Sequence, residues 1–451
     1  LFSGVSIQVS TTINWTNTSV KALAGNGDPI DVVKIAAKKL VQKAKESGWV
    51  GPPFNPIYIA KMLGVEVVAN SSISDARLLL SDEKPRIEFN PQQSRERMRF
   101  SIAHEIAHLL FPDWSEQVRN RGGTAEIKDD WQLEMLCNLA ASEFVLPIGS
   151  LPYTNSIPSI EVLMKQCREF DVSVEAFLIR LVKTASIPIG IFVASPHSHN
   201  GNDRNYKVDY FISSAVAPNV NLSGTSIPSE SIVKNCTAIG FTDSSFENWV
   251  GEAPVKMECV GIPGYPGSIF PRVAGIVRFA STHADRHPIK RVHGNVLEPR
   301  GVGSKIICQL VNDKAIKWGG GVARSAAKKF PAAQQKFMEA IIELPAADRL
   351  GSTIFSQAND ELVIASLIAQ QGYGKSLFPR IRYAELESCL EKVVEKSATT
   401  SASIHMPKIG TGAAGGDWDM IYEMIDDIMV RSGLEVTIYE PPPKRAQLEL
   451  F

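Results

Sequence analysis

Residues 99–112 read RFSIAHEIAHLLFP, Arg99 to Pro112. Two histidines stand four residues apart, with a glutamate beside the first, inside an apolar run. Residues i and i+4 lie one above the other on a helix, so His104 and His108 can present both imidazoles to one metal ion. Glu105 then sits to one side, placed to act as general base toward the attacking water of a hydrolysis. An isolated HExxH match arises readily by chance. Here, however, Phe100, Ile102, Ala103, Ile106, Ala107, Leu109 and Leu110 surround the three polar groups. Burying two histidines and a carboxylate without partners is costly, and a metal removes that cost. The stretch therefore predicts a catalytic zinc helix. A catalytic zinc takes three protein ligands and keeps one open position. The next expected helix, WQLEMLCNLAASEF, offers the third: Glu134 stands opposite Leu133, Leu136, Cys137, Ala140, Ala141 and Phe144. Its competitor, Glu143, comes two and a half turns later, and Glu134 is preferred.

Outward from this helix, helical spacing covers residues 31–46 with Asp31 as N-cap, and again PIYIAKMLG, ended by Gly64. The runs VEVVA, ARLLL and RIEFN are expected as strands, followed by helices at 94–111 and 130–145 and two more over 159–185. From 187 to about 280 the texture is β-rich, with strands at IPIGIFVAS, YKVDYFISS, VKMECVGIP and RVAGIVRFA and a polar loop at SPHSHNGNDRN. From about 288 strands alternate with helices, the pattern of an α/β domain. The strands are SKIICQLVN, STIFSQA, LVIASLIAQ, SASIHMP and LEVTIYE.

With 451 residues, two or three domains are expected, and a net charge of −1 gives no general pull toward nucleic acid or anionic membrane. No apolar run is long enough to span a bilayer, and the polar start lacks the layout of a secretory signal. The six cysteines are dispersed without a CxxC pair, so neither a disulfide framework nor a cysteine zinc site is indicated. A reducing, cytoplasmic location is expected.

RERMRFSIAHEIAHLLFP followed by EMLCNLAASEFVLP resembles the ImmA/IrrE metallo-endopeptidases. Their pattern runs Arg-x-Arg-Phe-Thr-x-Ala-His-Glu-x-Gly-His, then Glu-x-x-Ala-Asn-x-Phe-Ala-x-x-x-Leu-Met-Pro. Ser101, Ala107 and Cys137 depart from it, replacing Thr, Gly and Ala. The resemblance implies an α+β zincin-like metallopeptidase domain over 30–186. It also implies one catalytic zinc held by His104, His108 and Glu134, with Glu105 as general base. A protein substrate follows, a transcriptional regulator such as a helix-turn-helix repressor of stress or mobile-element genes. Residues 187–285 would be a β-rich, sensor-like middle region.

Two glycine-rich loops mark the C-terminal part. QLVNDKAIKWGGGVARSAAKKFP and MPKIGTGAAGGDW each place glycines between a strand and a helix, where exposed N–H groups and a helix N-terminus suit a phosphate. Neither has the Gly-Lys-Ser/Thr of a triphosphate loop or a GxGxxG. With HGNVLEP and ANDELVIASLIAQ they resemble a macrodomain of the terminal-ADP-ribose glycohydrolase branch, over 288–440, an α/β fold with a mixed, mostly parallel sheet. The resemblance implies ADP-ribose as ligand. It assigns the first loop (Asn312, Gly319, Gly320, Gly321, Val322) and the second (Ile409, Gly410, Thr411, Gly412, Ala413) to diphosphate and ribose. Asn295 falls where an adenine-binding Asp is common. The lysine and aspartate used for hydrolysis in that branch align with Gln370 and Ala414, so binding without lysine-route hydrolysis is expected.

Residues 441–451 read as a flexible tail whose last five, QLELF (447–451), resemble a sliding-clamp docking peptide. Together these readings predict a zinc endopeptidase whose macrodomain binds ADP-ribose or an ADP-ribosylated macromolecule and thereby regulates or targets cleavage. A non-proteolytic ADP-ribose-binding scaffold and an ADP-ribosyl hydrolase acting through the macrodomain are the alternatives.

Overall fold

Helix α1 (Thr18–Ala24) is followed by α2 (Pro29–Glu46) and α3 (Pro56–Met62) in the computed structural model. It describes residues 13–120, 129–151, 156–198, 204–251, 253–265, 268, 270–280 and 289–441. The contacts divide the chain into two compact units: Leu1–Lys38, Val50–Pro147 and Leu151–Ala284, and Lys39–Trp49, Ile148–Ser150 and Asp285–Phe451. The start of α2 differs from the sequence reading. Asp28, not Asp31, caps it, accepting from the N–H groups of Ile30 (2.8 Å) and Asp31 (3.2 Å). Pro29 takes the first helical position, where its missing N–H has no intrahelical use.

In the first unit, β1 (Glu66–Ala69), β2 (Ala76–Ser81) and β3 (Lys84–Phe89) form a sheet of order β1-β3-β2. β1 runs parallel to β3, and β2 forms an antiparallel hairpin with it. The two-residue turn has positive φ at both Asp82 (50°) and Glu83 (59°), the handedness that matches strand twist. Helix α4 (Arg95–His108), N-capped by Ser94, packs against this sheet on one side. After α5 (Trp114–Asn120), helix α6 (Asp130–Val145) covers α4 from another side. Being enclosed by a sheet and a helix is why α4 is apolar around most of its circumference. Helices α7 (Ile160–Phe170) and α8 (Val174–Thr184) lead into a five-stranded sheet.

That sheet contains β4 (Ile189–Ser198), β5 (Arg204–Ser213), β6 (Thr242–Glu247), β7 (Val255–Ile262) and β8 (Arg272–Arg278) in the order β5-β4-β8-β7-β6. Every pairing is antiparallel. One face buries Phe192, Val208, Met257, Cys259 and Val277 in a single cluster. Gly275 faces Phe192 across β4 and β8; a Cβ there would meet the ring at 2.3 Å, so this site requires glycine. One strand was not foreseen and one expectation is corrected. TDSSFE (β6) is a strand despite its polarity, because it lies at the sheet edge and needs little apolar surface. Pro196 and His197, expected in a loop, pair with Tyr206 and Asn205.

The second unit holds β9 (Ile289–His293), β10 (Lys305–Asn312), α9 (Gly321–Lys329), α10 (Pro331–Glu343), β11 (Thr353–Asn359), β12 (Leu362–Gln370), α11 (Tyr383–Thr400), β13 (Ser403–Pro407), α12 (Trp418–Ile425) and β14 (Val436–Glu440). The sheet order is β11-β12-β10-β13-β14-β9, mixed and mostly parallel: only β11 runs against its neighbour. β10 and β12 are buried along almost their whole length, as strands covered on both faces must be. Ile307, Val311, Ile364 and Ile368 pack with Trp318, Ala326, Phe337 and Ile341 of the α9–α10 side. Strand β9, IKRVH, was not expected, since only Ile289 of its five residues is buried. Among the described residues, no helix is long and apolar enough to cross a membrane. All six cysteines are buried, and among the described residues no disulfide links them. The QLELF tail lies outside the described residues.

Candidate functional site

Helices α4 and α6 bring the three expected ligands together. His104 Nε2 lies 2.9 Å from Glu134 Oε2, and His108 Nε2 lies 3.6 Å from Glu134 Oε1. One ligand atom from each residue falls within 4.8 Å of the other two. Two donors at zinc bonding distance in a tetrahedral site stand about 3.3 Å apart. The donor set, two imidazoles and a carboxylate, therefore fits zinc with a fourth position open. Burial opposes charge on His104, but the hydrogen bond and charge of Glu134, with Glu105 nearby, outweigh it and raise the imidazole's pKa. The competitor Glu143 is committed elsewhere, to Arg180 at 3.0 Å.

Glu105 is 7% exposed, and its Oε2 accepts the backbone N–H of Leu78 on β2 at 2.8 Å. Three arginines of the RERMRFS segment hold α4 in place. Arg95 reaches Asp171 at 2.6 Å and Arg99 reaches it at 3.8 Å. Arg97 pairs with Asp75, which also accepts from Ser101 Oγ at 2.5 Å. Arg99 further donates to the Phe54 carbonyl. Sequence reading missed three contacts at the centre: the Leu78 N–H on Glu105, Asn138 Oδ1 at 2.9 Å from His104 Nδ1, and Cys137 Sγ at 3.5 Å from His108 Nδ1. Cys137, read in the sequence as part of the apolar face opposite Glu134, is thus corrected: positions three and four after Glu134 share its side of the helix, which brings Cys137 and Asn138 to the histidines.

The glycine-rich loops follow β10 and β13, neighbouring parallel strands, so both leave the same carboxyl-terminal edge of the sheet. Asn295, two residues past β9, leaves that edge too, because β9 runs parallel to β14 and β14 to β13. Ligands of open α/β sheets bind at this edge. A Cβ placed on Gly319, Gly320, Gly321 or Gly412 would meet no atom within 4 Å. No protein packing therefore demands glycine at 319, 320 or 412, whereas close approach of a ligand to the backbone would; Gly321 is set apart by its left-handed φ of 51°, which itself favours glycine. The first loop ends at the N-terminus of α9, with Val322 in its opening turn, and Arg324 Nε donates to the Gly319 carbonyl at 3.0 Å. Asn312 and Asn295 each accept a backbone N–H two residues on, from Lys314 and Leu297, at 3.0 Å. In the second loop Gly410 has φ 78°, and Thr411 Oγ1 donates to the Lys408 carbonyl. Gly412 and Ala413 lie between that turn and Ala414. Ile409 is buried, and its N–H is engaged by Pro407 at 2.7 Å, so it offers no donor to a phosphate.

A third segment at this edge, Gln371–Arg380 after β12, was not singled out in the sequence. The N–H groups of Arg380 and Ile381 both donate to the Ala414 carbonyl, tying it to the second loop. Gln370, at the hydrolytic lysine position, is buried and donates from Nε2 to the Gly372 carbonyl at 2.8 Å; Ala414 is 2% exposed.

Family comparison matches residues 60–182 to the IrrE N-terminal-like domain and residues 311–425 to the Macro domain. A curated relative, "Chromodomain-helicase-DNA-binding protein 1-like" of Danio rerio, is 25% identical over 173 residues, 36% of this chain and 16% of that protein. The chain thus spans less than a fifth of the length of such relatives. Among solved structures, a macrodomain protein from Streptomyces coelicolor is 28% identical, covering 34% of this chain and 98% of its own at a TM-score of 0.30. A Bacteroides thetaiotaomicron protein of unknown function is 30% identical, covering 34% and 96% at a TM-score of 0.32. The chain carries an IrrE/ImmA-like peptidase domain, a β-rich middle region and a C-terminal macro domain.

Proposed function

We propose that this chain is a zinc-dependent endopeptidase acting on a regulatory protein, with a helix-turn-helix repressor as the substrate class. Its macro domain binds ADP-ribose or an ADP-ribosylated macromolecule and through it regulates or targets the cut. The observation that carries the reading is the convergence of His104, His108 and Glu134 with Glu105 alongside. Zinc bound there supplies a Lewis acid that polarises the scissile carbonyl and makes water acidic enough to attack at neutral pH. Glu105 takes the proton of the attacking water at its carboxylate and returns it to the leaving amine. The Leu78 N–H holds that carboxylate in position.

Glu105→Gln tests the assignment. It should retain zinc while cleavage of the regulator falls by at least about 100-fold; undiminished cleavage would sink the proposal. For the macro domain the reading is binding without lysine-route hydrolysis. Gln370 cannot form a Schiff base, and Ala414 has no acid to offer. Release of ADP-ribose from a modified substrate, lost on Gly320→Glu, would refute that part.

A further inference from the structure

We infer that Trp318 is a positioning residue for the diphosphate, anchoring the first glycine-rich loop through its indole N–H. The inference rests on the macro-domain reading above and adds to it a side chain buried in the core. Of residues 314–321, Trp318 alone is buried. Its ring packs on Phe337, with centroids 5.7 Å apart, and its Nε1–H donates to Ser366 Oγ on β12 at 3.1 Å. Gln309 Nε2 of β10 donates to the same oxygen at 3.2 Å. A serine hydroxyl has two acceptor lone pairs, so this acceptor is saturated.

The strands show why this contact is more than packing. On the face of β10 and β12 that meets α9 and α10, Ile307, Val311, Ile364 and Ile368 are apolar. Gln309 and Ser366 share that face by strand alternation and stand opposite each other in register. They are 2% and 0% exposed, and apolar side chains would fill the same space without burying polar atoms. Gln309 Oε1 even has no hydrogen-bond partner among the described residues, so the pair costs stability. What the pair supplies is a directional contact that fixes one placement of the Trp318 ring. The residues that follow are Gly319, Gly320 and Gly321, whose N–H groups donate to no protein acceptor among the described residues. Glycine backbone is conformationally free, and a ligand that must order it binds more weakly. The anchor before Gly319, with the Arg324 Nε–H bond to the Gly319 carbonyl at 3.0 Å, holds these donors ready for phosphate oxygens.

Calorimetric titration of ADP-ribose into the full chain tests this. Trp318→Phe keeps a ring against Phe337 and removes the N–H; Ser366→Ala removes the acceptor and changes little volume. Each should weaken ADP-ribose binding about 5- to 10-fold, the effect of one hydrogen bond. The double variant should lose no more than either single one, because both remove the same contact. In ¹⁵N-glycine spectra of the ligand-free chain, either variant should broaden or split the signals of Gly319, Gly320 and Gly321 and leave the distant glycines in place. General destabilisation would not single out those three. Ser366→Ala carries the test if Trp318→Phe does not fold. Unchanged affinity in these variants while Gly320→Glu abolishes binding would overturn the anchor and leave the ADP-ribose reading standing. Losses that add in the double variant, or weaker binding with unmoved glycine signals, would overturn it too. A wild-type chain that binds no ADP-ribose would instead overturn the macro-domain reading, and the anchor with it.

Discussion

His405 shows how a single residue's surroundings set a pH dependence. It is 2% exposed on β13, with Ser403 Oγ 2.9 Å from Nε2 and the Tyr439 hydroxyl 3.3 Å from Nδ1. Burial, with the charge of Lys305 added, lowers its pKa to about 4. The unfolded chain, with an ordinary histidine near pKa 6.5, then binds more protons than the folded one between those values. The stability from keeping His405 neutral is full above about pH 6.5 and is lost as pH falls toward 4. Denaturant melts at stepped pH should show this loss, and His405→Gln should flatten it; an unchanged slope would remove His405 as the cause. Gly320 makes the complementary point about space. Its backbone is extended, with φ −132°, and a Cβ there would meet nothing, so folding does not require glycine. Gly320→Glu should leave the melting temperature nearly unchanged and abolish ADP-ribose binding by calorimetry.

At the scale of elements, α4 is fixed by the arginines of its own first turns and the distant groups they reach. Asp171 caps the C-terminus of α7 in the left-handed region, at φ 51°, and also receives Arg95 and Arg99 from α4. It thereby fixes the first turns of the metal helix to the α7–α8 turn. Asp171→Ala removes charged hydrogen bonds and places a less tolerant residue at positive φ. It should cost about 2 kcal/mol in denaturant unfolding. A change within about 0.5 kcal/mol, the usual surface value, would mean the tether contributes nothing. The arginines were visible in the RERMRFS segment, but their partners, Asp75, Asp171 and the Phe54 carbonyl, lie 22 to 76 residues away. No local pattern points to them. The same limit explains β6 and β9: both are edge strands, and their polar sequences carry no alternation strong enough to read.

For the whole molecule, one chain carries a peptidase-like domain and a macro domain, and the proposed function joins their activities. Titrating ADP-ribose while following cleavage of the regulator should change the rate or the choice of substrate. If neither changes, the two domains share a chain without sharing control, and the regulatory part of the proposal fails.

The sequence by itself determined the HExxH helix, the main helices and strands around it and the glycine-rich loops, while the polar edge strands β6 and β9 escaped it. These are short-range properties: helical spacing puts His104 and His108 on one face, and alternation of apolar runs marks β10 and β12. The sequence preferred Glu134, and the tertiary structure brings that carboxylate to the histidines. Glu134 and Glu143 sit on the same helix, and only its packing on α4 and the Arg180 partner of Glu143 separate them. Tertiary structure also decided that β2 supplies the N–H on Glu105 and that the segment after β12 joins the second glycine-rich loop. The physical reason is common to all three. Backbone hydrogen-bonding groups are the same at every residue, so their partners are chosen by where strands and helices meet, not by which side chains they carry.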